Sequence, residues 1–277
     1  MITAVVSRKG GVGKTTTSVN LAAALAGIGK RVLLVDLDAQ GSASLSLGVA
    51  RSAMAPSSAD IVLRSTPARD TVRRTRIPGL DLVTASADLA SADQTLGMVA
   101  GRELILRRAL APIAAEYDFI LLDCPSSLSL LPINALLASD NFILPVVPHY
   151  LASEGVANLL STVRRLRGRF GHETGLLGIV LTMVDYRTRT CRQNVDSIRA
   201  QYREGVFAIE IRINTRLAEA PGAGKTIFEY DATATGARAY RLLAAEVLIR
   251  VTSSHRLGAV GPRFAAGAPA TAGDPVR

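Results

Sequence analysis

The chain has 277 residues, 48% of them apolar, enough for one large domain around a buried core. No run of eighteen apolar residues occurs, which argues against a membrane-spanning helix. Two cysteines without metal-ligand spacing argue against a disulfide scaffold, and 32 basic against 23 acidic residues (net +9) favour a polyanionic partner such as DNA or an anionic membrane surface. A high-GC genome would explain why nearly all the basic residues are arginine, but not the net charge. Cys124 reads as packing at an apolar strand end, and Cys191, in a polar stretch, is expected at the surface.

In chain order, apolar runs alternate with helical periodicity. Strands are predicted at 2–7, 31–36, 80–84, 119–123, 141–147, 176–182 and 206–211. Helices are predicted at 15–26, 101–115, 130–137, 153–167, 193–203 and 236–250. Continuous apolar runs such as Val32-Leu33-Leu34-Val35 and Ile120-Leu121-Leu122 fit central parallel strands covered on both faces. The expected fold class is therefore α/β, a doubly wound, mostly parallel sheet with helices on both faces. One domain is expected over 1–252. The stretch 253–277, rich in Gly, Ala and Pro, is expected to be a disordered tail. The chain starts directly on its first strand, so neither a signal peptide nor a preceding DNA-binding extension is expected, and a cytoplasmic location follows.

The first strand runs into Lys9-Gly10-Gly11-Val12-Gly13-Lys14-Thr15-Thr16 and then a helix. Strand, glycine-rich turn and helix is the context of a phosphate-binding loop. Glycines let backbone N–H groups approach phosphates, and the helix N-terminus adds partial positive charge. Lys14 is placed to reach the β- and γ-phosphates, and the Thr15 hydroxyl to ligate Mg²⁺. The usual first glycine of such a loop is replaced by Arg8, with the extra lysine Lys9 beside it. A second glycine–lysine run, Gly222-Ala223-Gly224-Lys225-Thr226, lacks both the early residue and a preceding strand, and reads as a decoy.

Two further segments belong with the loop. The strand ending Asp36-Leu37-Asp38-Ala39-Gln40-Gly41 carries carboxylates at i and i+2, which point the same way in an extended chain. Phe119-Ile120-Leu121-Leu122-Asp123 is an apolar strand ending in an acid suited to hold Mg²⁺ through water.

These motifs resemble the ParA/MinD family of P-loop ATPases with a deviant Walker A loop, most closely its small Soj-like partition members, over about residues 1–250. Arg216-Leu217-Ala218-Glu219-Ala220-Pro221 and Leu181-Thr182-Met183-Val184-Asp185 extend the match. The chain departs from the family pattern at Ala39 and Ser126, where proline is usual, and at Arg212-Ile213-Asn214, where the family reads Pro-Arg-Asn.

The resemblance implies ATP/ADP and Mg²⁺ as cofactors, bound by Lys9, Gly10, Gly11, Val12, Gly13, Lys14, Thr15 and Thr16, with Asn214 near the adenine. It implies that Asp38 orients or activates the attacking water, that Asp36 supports the Mg²⁺ shell with Thr15, Asp38 and Asp123, and that Lys9 reaches the nucleotide of a partner subunit. Catalysis would then rest on Lys9, Lys14 and Asp38. The implied partners are a second copy of the chain, non-specific double-stranded DNA contacted by Arg187, Arg189 and Arg216, and a ParB-like centromere-binding protein. Residence on the nucleoid follows. Membrane-bound relatives carry a C-terminal amphipathic helix, but glycines and prolines interrupt the stretch around Leu257, Val260 and Phe264, so membrane binding is not expected. Two alternatives stay open from sequence: the same engine positioning a protein cargo, and a nucleotide-gated regulator with negligible turnover.

Overall fold

The structure, a computed structural model, describes residues 1–127 and 129–256. Among these residues, eight strands form one sheet: β1 (Ile2–Val5), β2 (Val32–Asp36), β3 (Val72–Arg74), β4 (Leu80–Val83), β5 (Phe119–Asp123), β6 (Asn141–Val146), β7 (Gly175–Val184) and β8 (Ile211–Arg212). Their order across the sheet is β3-β4-β2-β5-β1-β6-β7-β8, parallel throughout except for β3, which pairs antiparallel with β4. The expected doubly wound, mostly parallel sheet is what the chain forms.

Alternation along the strands explains the continuous apolar runs. Leu33, Val35, Ile120 and Leu122 belong to one core, while Val32, Leu34, Leu82 and Leu121 belong to the other. The second core is covered by α1 (Lys14–Gly27) and the long helix Thr235–Arg256, through Leu21, Leu25, Tyr240 and Leu243. The first is covered by the helices Leu130–Ala138, Ala152–Phe170 and Arg189–Tyr202. The central strands must therefore be apolar on both faces.

Four expectations need correction. The edge strand β3 went unpredicted because only Val72 is apolar in Val72-Arg73-Arg74; Arg73 instead donates to the carbonyls of Met54 and Pro56, both at 3.0 Å. The strand expected at 206–211 shrinks to β8 plus one bridge from Val206 to Ile179. Side chains serve the backbone there instead of a ladder: Arg199 donates to the Phe207 and Ala208 carbonyls, and Glu246 accepts from the N–H groups of Ala208 and Ile209. The helix expected at 101–115 is only Ile105–Leu110, flanked by tight turns of 3₁₀ helix, the second with Pro112 in its first turn. Cys191 is buried, its sulfur accepting from the Asp185 N–H at 3.3 Å.

The last helix continues to Arg256, past the expected domain end at 252. The remainder of the expected tail, 257–277, lies outside the described residues. No helix among the described residues is long and apolar enough to cross a membrane.

Candidate nucleotide site and basic edge

β1 lies between β5 and β6, so the loop that follows it opens at the C-terminal ends of three neighbouring strands. Gly11 and Gly13 adopt φ of +70° and +80°, a left-handed backbone that side chains disfavour, and α1 starts at once with Lys14. The Thr182 hydroxyl, at the end of β7, donates to the Val12 carbonyl at 2.9 Å and pins the loop from outside. A cavity of about 520 Å³ lies over the loop, lined by Gly13, Lys14, Thr15 and Thr16 on one side, with Asp38 and Ser126 facing in.

The loop's charged and hydroxyl groups are already engaged with one another. Lys14 Nζ donates to Ser126 Oγ at 2.6 Å and to the Lys9 carbonyl at 3.2 Å. Burial draws this ammonium below its usual pKa range, against the pull of Asp123. Thr15 Oγ1 and Ser18 Oγ each donate to one oxygen of Asp123, at 2.8 and 2.7 Å. Ser18 was not singled out in the sequence; its signal is its place one turn beyond Lys14 on the loop-facing side of α1.

Asp36 and Asp38 differ in exposure, and the Asp38 N–H donates to Asp36 Oδ1 at 3.2 Å. Asp36 ends β2 fully buried, in register with Asp123 on β5, and accepts from both the N–H and the hydroxyl of Ser44. Asp38 lies beyond the strand, accepts from the Gln40 N–H at 3.0 Å and lines the cavity. Burial raises the pKa of both Asp36 and Asp123, and the charge of Asp36 raises Asp123 further.

Among the described residues, no group of three or more His, Cys, Asp or Glu side chains forms a metal cage. One hydroxyl (Thr15) beside one carboxylate (Asp123) at a phosphate loop instead suits Mg²⁺, which keeps several waters and shares ligands with a bound phosphate.

The opposite wall of the cavity includes the residues at the start of the decoy run. Pro221 and Gly222 face Leu45 and Ser46 of α2 (Ser42–Ser46). Arg76, to which the sequence assigned no role, ties the two walls together. Its guanidinium donates to the Leu47 carbonyl at 2.9 Å, at the end of α2, and to the Gly224 carbonyl, and it forms an ion pair with Glu229. The backbones approach closely there: a Cβ on Gly224, at φ +61°, would stand 3.1 Å from the Gly48 Cα.

Lys9 and Asn214 occupy other contacts. Lys9 Nζ stands 2.7 Å from His149 Nε2, in the loop after β6. Asn214 caps a short helix, its carbonyl oxygen accepting from the Leu217 N–H at 3.1 Å and its amide donating to the Thr235 hydroxyl at 2.8 Å. In this arrangement it shapes the 211–221 connection.

The three candidate DNA arginines follow the C-terminal ends of the adjacent strands β7 and β8. Arg187 is exposed and grips Asp185 with two bonds of 2.8 and 2.7 Å, which holds the carboxyl down at about 2. Arg189 begins the helix Arg189–Tyr202 and is exposed. Arg216 pairs with Glu219 at 3.0 Å and Asp231 at 3.7 Å. Arg212 of β8 joins them, stacked on the Tyr186 ring at 5.2 Å. The cluster Arg164, Arg165, Arg167 and Arg169 sits on the last turns of Ala152–Phe170, which lead to the start of β7, at the opposite end of the strands.

Known proteins match this arrangement closely. A family model described as an AAA domain matches residues 1–174. The sporulation initiation inhibitor protein Soj of Bacillus subtilis is 44% identical over 246 residues, covering 89% of this chain and 97% of that protein. The chain belongs to the ParA/MinD family of P-loop ATPases. Within it, the chromosome-partitioning ATPase Soj of Thermus thermophilus is 46% identical over 90% of this chain and 95% of its own length, and the chromosome partitioning protein ParA of Caulobacter vibrioides is 40% identical over 90% and 94%.

Among solved structures, a cobyrinic acid a,c-diamide synthase from Mycobacterium smegmatis, crystallised with an ATP analogue and magnesium, superposes with a TM-score of 0.78 at 34% identity. It covers 91% of this chain and 96% of that one. Nucleotide and magnesium binding are thus properties of this fold.

Proposed function

We propose that this ParA/MinD-family chain is a partition ATPase that hydrolyses ATP with Mg²⁺, dimerises in its ATP state and then binds DNA without sequence preference. The observation that carries the reading is the Lys14 ammonium at the phosphate loop beside the Thr15–Asp123–Ser18 network, beneath an open cavity faced by Asp38. Phosphoryl transfer needs positioning and charge at the transferred group more than covalent chemistry. Lys14 and the helix N-terminus supply charge from below. Thr15 and Asp123 would hold the metal, which would supply positive charge to the reacting phosphate, and Asp38 would orient water. Asp36, walled in by Ser44, would act on the metal shell only through Asp123 and its waters.

Lys9 completes the site from a second copy: its ammonium leaves His149 and meets the partner's nucleotide, so hydrolysis is slow in the monomer. Arg187, Arg189 and Arg216 carry the DNA contacts on the basic edge, where phosphate displaces Asp185 and Glu219 from their arginines. A ParB-like centromere-binding protein, in the cytoplasm and on the nucleoid, stimulates turnover and sets the lifetime of the DNA-bound state. Identity of 44% and 46% to Soj proteins over most of both chains supports this assignment.

The test is binding of the purified chain to duplex DNA of arbitrary sequence with ATP, ADP or no nucleotide, at low and moderate salt. Binding with ATP alone, weakening steeply with salt, is expected. Absence of binding in every nucleotide state would remove DNA from the mechanism and turn the search to protein cargo.

A further inference from the structure

Ser126 is a polar group that the scheme above leaves without a task. It follows Pro125 in the loop after β5 and its side chain opens into the cavity. Its oxygen accepts the shorter of the two bonds made by Lys14 Nζ, 2.6 Å against 3.2 Å to the Lys9 carbonyl. Its own proton has no acceptor among the described residues. The hydroxyl also overhangs the start of the phosphate loop, since a Cβ on Gly10 would stand 3.8 Å from Ser126 Oγ. Ammonium, hydroxyl and loop backbone thus enclose one small volume from three sides.

The chemistry of that volume is set by Lys14. A lysine at this place in a phosphate loop turns its ammonium to the outer phosphates. A phosphate oxygen bound to Lys14 Nζ comes within reach of a hydroxyl already 2.6 Å from the same nitrogen. That hydroxyl has a free donor and needs only rotation about one bond to use it. The inner phosphates are surrounded by the loop's own N–H groups. A group arriving from the neighbouring strand's loop is left with the outermost phosphate. We propose that Ser126 donates a hydrogen bond to the γ-phosphate and makes the site prefer a nucleoside triphosphate over a diphosphate. The proposal rests on the nucleotide reading above and adds to it a discriminating residue. Proline, usual at this position in the family pattern, has no side-chain donor, so the contact belongs to this chain's own sequence.

The experiment is equilibrium binding of a non-hydrolysable ATP analogue and of ADP, each with Mg²⁺, to the full chain and to Ser126→Ala and Ser126→Thr. A hydrogen bond to a charged acceptor is among the stronger kinds, so Ser126→Ala is expected to lose about ten-fold in affinity for the triphosphate analogue. Its affinity for ADP should stay within about two-fold, and Ser126→Thr should restore the triphosphate preference. Equal losses for both nucleotides would mean that Ser126 only shapes the loop, and unchanged affinities would mean that it makes no contact; either overturns the proposal. If the unaltered chain binds neither nucleotide, the nucleotide reading fails first and this proposal with it.

Discussion

The nucleotide site and the basic edge lie at the same end of one sheet, yet they are built on opposite principles. At the nucleotide site charge is buried. Lys14, Asp36 and Asp123 are nearly or fully enclosed, and each is held by hydroxyl or backbone partners. At the basic edge charge is exposed, and Arg187 and Arg216 rest in ion pairs with carboxylates a few residues away. A buried charge depends on every partner, so removing one group breaks the unit. Exposed charges act nearly independently, and each exposed pair contributes little to stability. The first region therefore suits chemistry on one ligand in one geometry, the second a polymer of repeated phosphates without register.

If that contrast holds, substitutions in the buried network should have the largest effects. Lys14→Ala is expected to abolish measurable ATP turnover, because no other cation in the described cavity replaces the ammonium; a phosphate-release assay checks this. Asp38→Ala should lower turnover by about 10²-fold or more while ATP binding persists. Its DNA complex with ATP should outlive that of the unaltered chain, and unchanged hydrolysis would remove Asp38 from its assigned role.

On the exposed edge the effect should be graded. Arg216→Glu is expected to weaken DNA binding and to reduce the salt slope by about 1 or more, with ATP-dependent dimerisation intact. Equal DNA retention at all salt concentrations would move the contact elsewhere on the surface.

The buried carboxylates give a smaller effect with a defined sign. Asp36 and Asp123 have pKa values raised by burial, so through these two groups the folded chain holds more protons than the unfolded one above about pH 4, while His149, its pKa lowered, opposes them. Without metal or nucleotide, stability should then fall as pH rises from about 5 towards 8, and Mg²⁺ with ADP should flatten that slope. Thermal melts with and without Mg²⁺–ADP would read it. Smallest should be Arg76→Ala, which unties α2 from the turn at Gly224: a loss of a few-fold in nucleotide affinity with little change in maximal turnover. A fall in maximal turnover alone would instead place Arg76 in the chemistry.

The two regions also differed in how far they could be read before folding. Lys14, Thr15 and Asp123 were legible because a phosphate loop constrains glycines, lysine and hydroxyl to consecutive positions, and a central strand constrains an acid to its end. Their mutual hydrogen bonds follow from β1 and β5 being neighbours, which spacing does not state. Asp36 and Asp38 differ in exposure for a local reason. β2 stops at Asp36, inside the sheet, and Asp38 lies in the turn beyond it, at the cavity. Arg76 and Ser18 were missed because neither carries a motif, and one acts through partners 29 and 153 residues away.

Sequence alone determined the layered α/β class, the phosphate loop and the acids around it, because these follow from apolar periodicity and from short, contiguous spacing. Only the tertiary structure decided that Asp36 is sealed by Ser44, that the Gly222–Thr226 run begins a cavity wall, and that Arg187, Arg212 and Arg216 share one edge. Those facts depend on which strands lie side by side, and strand order is set by packing between segments far apart in the chain.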